Sequence, residues 1–87
     1  MKKQLFVIKS ANGLSSRASA NLVSEANKYK SDIYLNYADE KANLKSIMNV
    51  MALVIRQDET FELVAHGEDE EEALSHLHSL MLDIKLV

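Results

Sequence analysis

The chain has 87 residues, of which 47% are hydrophobic and 26% are charged, and its formal net charge at pH 7 is -3. A chain of this length can bury one small core, so we expect residues 1–87 to form a single domain. The acidic balance argues against the broad positive surface from which proteins gain affinity for DNA phosphates by counterion release. We therefore expect no direct contact with nucleic acid.

The sequence shows no signal for export or membrane insertion. The apolar run Leu5–Ile8 follows a basic start but ends at Lys9, which is too short for a signal-peptide core. No apolar stretch approaches the roughly 20 residues of a membrane span. Because the chain has no cysteine, neither a disulfide nor a thiolate metal site can form, and a reducing compartment is permitted. We expect a soluble cytoplasmic protein without a membrane contact.

A strand and a helix are predicted in the first third of the chain. β-Branched and aromatic residues predict a strand over Gln4–Ile8, and the turn cluster at residues 10–13 ends it. Small and apolar positions recur at helical spacing from Ser16 to Lys28 and predict the first helix. Either Ser15 or Ser16 can serve as its N-cap.

A hairpin and a short helix are predicted in the middle of the chain. The alternation over Asp32–Asn36 predicts a second strand, and residues 38–41 form a turn before a short strand through Leu44. The segment 47–53 is apolar on most sides, so periodicity alone cannot distinguish a buried strand from a short helix. Ser46 as an N-cap favours the helix.

The last third of the chain is predicted to hold a strand and a longer helix. Apolar and polar residues alternate over Thr60–Ala65, which predicts a strand. The acidic residues 68–72 then precede an amphipathic helix that extends to Ile84, with negative charge at its N-terminal end. The element order β-α-β-β-α-β-α, with helices covering one sheet face, predicts an α+β open-faced β-sandwich.

Two stretches carry the strongest functional signals. Residues 12–19 are Asn-Gly-Leu-Ser-Ser-Arg-Ala-Ser, and residues 44–51 are Leu-Lys-Ser-Ile-Met-Asn-Val-Met. Together they resemble the HPr family, the histidine-containing phosphocarriers of the bacterial sugar phosphotransferase system. In that family a glycine, an aliphatic residue, the phosphoacceptor histidine, a small residue and an arginine are consecutive, so Ser15 stands at the acceptor position. The second stretch matches the regulatory motif of Gram-positive members and places Ser46 at the phosphorylated position.

The resemblance extends over essentially the whole chain without an evident insertion or deletion. It implies a four-stranded antiparallel sheet in the order 1-4-2-3, with three helices on one face. It also implies a protein that is not itself an enzyme.

The acceptor position departs from the family in a way that argues against phosphotransfer. The carrier needs an imidazole nitrogen, because a serine without an adjacent base is a poor nucleophile and its phosphate ester is too stable to pass on. Ala18 also stands where the family usually has proline, which removes a constraint on the loop. Ser15 and Ser16 then act mainly as helix caps. Arg17 is either an ordinary solvent-facing residue or, as the resemblance implies, a contact to phosphate and partners.

The three histidines do not restore catalysis. His76 and His78 are two residues apart on a predicted helix and therefore point to different sides. Together with His66 they are best interpreted as surface or half-buried residues. We expect no catalytic residue, no metal site and no cofactor.

Ser46 lies just before an apolar segment. Its hydroxyl can accept a backbone N–H, and a phosphate on it would meet the positive end of the helix. The residues alone favour a plain N-cap, whereas the resemblance implies a regulated serine. Only one stripe of a short helix can be buried, so some of Ile47, Met48 and Met51 should be exposed and suited to docking. Asn49 stands where the family often has glycine.

A family member that has lost the histidine but kept the regulatory serine is implied to act in carbon catabolite repression. HPr kinase/phosphorylase would phosphorylate Ser46, and the phosphoprotein would be a corepressor for CcpA, a LacI-type regulator that itself contacts DNA. The implied partner-binding residues are Ser15, Arg17, Ile47, Met48 and Met51. Two alternatives stay open: a diverged phosphocarrier that uses Ser15 or Ser16, and an orphan interaction domain without phosphorylation.

A second surface is predicted on the open face of the sheet. The alternation that turns one set of strand residues toward the helices leaves an apolar set on the other face. This set consists of Leu5, Val7, Tyr34 and Val64. Strands 1, 4 and 2 are neighbours in the implied order, so the four side chains should form one contiguous patch. We predict weak homodimerisation through this face or by exchange of strand 1, unless strand 1 is shifted by one residue.

Overall fold

The elements follow one another in the predicted order β-α-β-β-α-β-α in the computed structural model, which describes residues 1–87. The strands are β1 (Lys2–Val7), β2 (Asp32–Tyr37), β3 (Glu40–Asn43) and β4 (Thr60–His66). The helices are α1 (Ser16–Ala26), α2 (Ile47–Met51) and α3 (Glu70–Asp83). None of the three helices is long and apolar enough to span a bilayer.

Element boundaries differ from the prediction by one to three residues. α1 ends at Ala26 rather than Lys28, because the next N–H groups, those of Lys28 and Tyr29, bond to carbonyls three residues back instead of four. β1 begins at Lys2 and ends at Val7. Ile8 is beyond the regular ladder but still donates its N–H to the Glu59 carbonyl at 2.9 Å.

The four strands form one antiparallel sheet in the order β1-β4-β2-β3, which confirms the predicted topology. In this register Phe6 faces Phe61 across β1 and β4, and their ring centroids are 5.5 Å apart. Leu35 is opposite Leu63 in the β2–β4 pair. Aromatic and aliphatic cross-strand pairs of this kind stabilise an antiparallel sheet.

The core lies between one face of the sheet and the helices. Ile8, Ile33, Leu35 and Leu63 are fully buried there, and Phe6 and Phe61 are at most 5% exposed. The helices contribute further large buried side chains, which include Leu22, Val50, Leu77 and Met81. α1 packs on both α2 and α3, so the N-termini of α1 and α2 are held on a common scaffold.

The opposite face of the sheet is open, and Leu5, Val7, Tyr34 and Val64 lie on it. Leu5 and Val7 are 66% and 36% exposed, whereas Tyr34 is half-buried. Val64 is only 8% exposed and offers little surface to a partner. The alternation therefore predicted correctly which face these side chains point to, but Val64 is buried on that face rather than exposed.

The predicted contiguous apolar patch is not observed, because charged side chains interrupt it. Lys3 is directly opposite Val64, and Glu62 is directly opposite Leu5. The Lys41 ammonium covers the Tyr34 ring at 4.1 Å from its centroid. The exposed apolar surface of this face is reduced to Leu5 and Val7 on the edge strand β1.

Candidate functional site

The acceptor position of the family lies at the N-terminus of α1. Ser15 has an extended backbone, and its Oγ accepts the N–H of Ala18 at 3.2 Å. This identifies Ser15 as the N-cap and Ser16 as the first residue of the helix. No carboxylate or imidazole is hydrogen-bonded to the Ser15 hydroxyl, so no general base is in place to activate it.

The loop before Ser15 is docked on the segment that follows α2. Leu14 donates its N–H to the Ile55 carbonyl at 2.9 Å. Gly13 has φ +64°, and a Cβ there would lie 2.4 Å from the same carbonyl oxygen. Only glycine satisfies both the backbone conformation and the close approach. The position of Ser15 is therefore coupled to the backbone beyond α2.

A cleft of about 370 Å³ opens beside Ser15, between α1 and the C-terminal segment. The Leu86 carbonyl accepts the N–H groups of Lys9 and Ser10 and so closes one side of it. Arg17 lines this cleft, is exposed and forms no salt bridge. Its guanidinium is thus available for an external anion.

Ser46 is the N-cap of α2. Its Oγ accepts the N–H of Asn49 at 3.3 Å, and its carbonyl accepts the N–H of Val50 at 3.1 Å. This geometry supports the interpretation of residues 47–51 as a helix rather than a strand. Ser46 itself is half-buried, so its hydroxyl is reachable but its backbone is fixed.

The segment that leads into Ser46 is held by the end of α1. The Asn27 amide donates to the Lys45 carbonyl at 3.1 Å, and the Lys45 ammonium donates to the Tyr29 carbonyl at 2.6 Å. The Asn27 amide also reaches the Val23 carbonyl in α1 at 2.8 Å. These hydrogen bonds therefore fix the backbone that precedes Ser46.

Tyr29 also anchors a polar cluster between α1 and α3. Its hydroxyl donates to Glu25 at 2.7 Å, and the Nδ1 of His76 lies 2.5 Å from the same oxygen. Since a hydroxyl has a single proton, His76 must be the donor in the second bond. Burial and the bond to Glu25 raise the pKa of Tyr29, and the same bond lowers the pKa of Glu25. His78 instead packs edge-on against Phe6.

An exposed apolar patch surrounds the start and end of α2. Val50 is the only residue of the helix that is buried, and it has no exposed surface. Met48 is 82% exposed, Met51 50% and Ile47 37%, so all three predicted docking residues face solvent. We call Ile47, Met48 and Met51 the α2 patch.

A groove connects the α2 patch with the Ser15 loop. Met51 and Val54 line it together with Gly13, Ser15 and Arg56. Ser46 and the rest of the patch lie outside the groove. The structure thus brings Ser15 and Met51 to one surface.

Sequence reasoning missed the contributions of Val54 and Arg56 to this groove. Val54 is 64% exposed between Leu53 and Ile55, which are 7% and 3% exposed. Because all three residues are apolar, polarity alone could not show which of them faces solvent. Arg56 carried no local signal, because its position follows from the docking of the Gly13 loop on Ile55.

Asp69 belongs to the acidic run 68–72, but it has a structural role that the run itself does not indicate. Its carboxylate leaves its own helix uncapped and accepts the backbone N–H groups of Lys30 and Ser31, at 2.9 and 3.0 Å, and the Ser31 hydroxyl. These bonds lower the pKa of Asp69 to about 2, and the bond from the Ser31 side chain has the largest effect. Asp69 therefore holds the loop between α1 and β2 rather than a ligand.

These features define a small open-faced β-sandwich in which serine side chains cap the N-termini of two helices beside an exposed apolar surface. This is the architecture of the bacterial histidine-containing phosphocarriers. The chain belongs to the HPr family: residues 2–83 match the family described as the PTS HPr component phosphorylation site.

Relatives include both regulatory and carrier proteins. The chain is 40% identical over 77 residues to the HPr-like protein Crh of Bacillus subtilis, which covers 88% of this chain and 91% of that protein. Among solved structures, the histidine-containing phosphocarrier protein of Mycoplasma superposes with a TM-score of 0.96 at 34% identity, over 99% of this chain and 98% of that one. The crystal structure of Bacillus subtilis Crh, described as a swapped dimer, matches with a TM-score of 0.74 at 37% identity over the whole of both chains.

Proposed function

We propose that this protein is a regulatory HPr-family member that is switched by phosphorylation of Ser46 and does not carry phosphoryl groups at Ser15. HPr kinase/phosphorylase is the proposed modifying enzyme. The phosphoprotein is proposed to act in the cytoplasm as a corepressor for CcpA, the LacI-type regulator of carbon catabolite repression. The observation that carries the proposal is the Ser46 hydroxyl at the start of α2, flanked by the α2 patch.

The Ser46 site suits a change of charge without a change of fold. A phosphate on Oγ would stand at the N-terminal end of α2, where backbone N–H groups favour negative charge. The bonds of Asn27 and Lys45 brace the preceding segment against displacement. The switch would therefore alter the surface rather than the scaffold.

The surroundings of Ser46 suit protein docking. Three apolar side chains of one short helix face solvent, and contiguous exposed apolar surface marks interaction sites. Methionine side chains adapt to different partner surfaces, which is useful for a patch that meets both a kinase and a regulator. Arg17, free of salt bridges in the cleft beside Ser15, would extend the contact with a charged group.

The Ser15 geometry opposes a carrier role. The hydroxyl accepts a helix N–H and has no neighbouring base, so it lacks the means to attack a phosphoryl donor. A serine ester, once formed, would also be too stable to pass its phosphoryl group onward. The relatedness to phosphocarriers therefore extends to the fold and not to their chemistry at this position.

A kinase assay tests the proposal directly. HPr kinase and ATP should place one phosphate on the wild-type chain and none on Ser46→Ala, whereas Ser15→Ala should still receive one phosphate. The phosphorylated chain should then bind CcpA more tightly than the unmodified one. Absence of phosphate on wild type would favour an orphan interaction domain. Acid-labile label after incubation with enzyme I and phosphoenolpyruvate would instead establish a diverged phosphocarrier.

We also propose weak self-association through β1. Leu5 and Val7 are exposed on this edge strand, and edge strands offer unpaired backbone groups to a second chain. Sedimentation at high protein concentration should show a dimer that Leu5→Lys together with Val7→Glu abolishes. A monomer at all concentrations, unchanged by the substitutions, would refute this proposal.

A further inference from the structure

The four methionines of the chain differ sharply in exposure. Met48 and Met51 are 82% and 50% exposed, Met1 is 67% exposed, and Met81 is fully buried in the core. The chain contains no cysteine, so thioethers are its principal targets for peroxide. Two of the three exposed thioethers therefore lie in the α2 patch.

Because Met48 and Met51 lie outside the core, they can be modified without unfolding the protein. Met48 and Met51 belong to α2, in which Val50 is the only buried residue. A polar group on either side chain would face water and leave the packing of Val50 intact. The same group on Met81 would be buried without a hydrogen-bond partner and would disrupt the core.

We propose that Met48 and Met51 form a peroxide-sensitive modification site that turns off docking at the α2 patch. The thioether sulfur attacks one oxygen of hydrogen peroxide, the O–O bond breaks, a sulfur–oxygen bond forms and water leaves. The sulfur is oxidised by two electrons and the peroxide is reduced. Methionine sulfoxide reductases return the sulfoxide to the thioether at the expense of a thiol. This inference rests on the proposed function, because it assumes that partners of Ser46 dock on the patch.

Oxidation makes the methionine side chain polar and should therefore weaken the binding of a partner to the α2 patch. A partner that covers the patch buries apolar side chains, and the sulfoxide oxygen would be buried in their place. An oxygen without a hydrogen-bond donor in the partner weakens the complex. We expect kcat/KM for phosphorylation of Ser46 to fall about tenfold on oxidation.

Mass spectrometry establishes the site independently of any partner. The intact protein is treated with hydrogen peroxide, and oxidation at each methionine is followed by peptide mapping. Met48 should react fastest, followed by Met1 and Met51, whereas Met81 should stay unmodified while circular dichroism remains native. Oxidation of Met81 at the rate of Met48 in the folded protein would overturn the proposal.

The kinase assay then tests the consequence, with a variant that cannot be oxidised in the patch. For wild type, kcat/KM should fall about tenfold after peroxide and recover after treatment with the reductases. The double variant Met48→Leu, Met51→Leu keeps an apolar patch and should be phosphorylated at the same rate before and after peroxide. Because this variant retains Met1, oxidation of the terminal methionine is controlled for.

The outcomes distinguish this inference from the proposed function. Phosphorylation of untreated and oxidised wild type at equal rates would overturn the inference and leave the proposed function standing. Failure of the kinase to modify untreated wild type would overturn the proposed function, and the regulatory consequence of oxidation with it.

Discussion

Replacing Ser46 tests whether α2 accepts a permanent negative charge at its first turn. Ser46→Ala removes the Oγ that accepts the Asn49 N–H. Ser46→Asp keeps an acceptor at the same position and adds a carboxylate, the nearest genetic imitation of a phosphate. If the site can be charged without unfolding, the two substitutions should have different effects on stability.

The expected difference can be worked out from the cap. Loss of a serine N-cap costs about 1 kcal/mol, and the 3.3 Å bond at an exposed position does not justify a higher value. For a chain of this size that corresponds to a fall in Tm of about 4–8 °C. Aspartate caps as well as serine does, and its charge is favoured by about 0.3 kcal/mol at the start of so short a helix. We therefore expect Ser46→Asp to equal or slightly exceed wild type in stability.

Urea unfolding at pH 7 measures these differences, with two matched controls. Ser15→Ala removes the equivalent cap bond of α1, at 3.2 Å, and should cost about as much as Ser46→Ala. Ser24→Ala changes an exposed serine inside α1 and should be neutral or slightly stabilising. The reasoning is wrong if Ser46→Asp destabilises the protein as much as Ser46→Ala does, because the first turn of α2 would then be unable to hold a negative charge.

Three further substitutions test the scaffold around the site. Gly13→Ala should cost about 2–4 kcal/mol in urea unfolding, because it adds a left-handed backbone penalty to a clash with the Ile55 carbonyl. Asp69→Asn should lower Tm at pH 7 but not at pH 2. The pKa of this carboxyl falls from 3.8 to about 2 on folding, so its stabilisation is present above pH 4 and lost as the pH falls toward 2. Tyr29→Phe should cost about 1.5 kcal/mol at pH 7. The lowered pKa of its partner Glu25 means that this cost, measured by urea unfolding, should shrink as the pH falls below 4.

The sequence predicted the elements well wherever periodicity was long or a cap was present. Ser46 is the clearest case, because a capping residue decided between helix and strand for a segment whose periodicity was ambiguous. The direction of Leu5 and Val64 also followed from alternation. The exposure of Val64 did not, since Val64 lies on an inner strand between Lys3 of β1 and Tyr34 of β2. The anchoring of Ser31 by Asp69 was equally inaccessible, because the two residues are 38 positions apart.

The shape of the acceptor loop does not depend on a histidine at position 15. Leu14 and Gly13 bind the loop to Ile55, a contact that makes no use of the residue at position 15. The loop therefore still lines the groove that Met51 also lines. Loss of the imidazole removes phosphoryl chemistry but not this surface. On the proposed function, the surface that a partner meets therefore depends on Ser46 and the α2 patch and not on a histidine at the acceptor position.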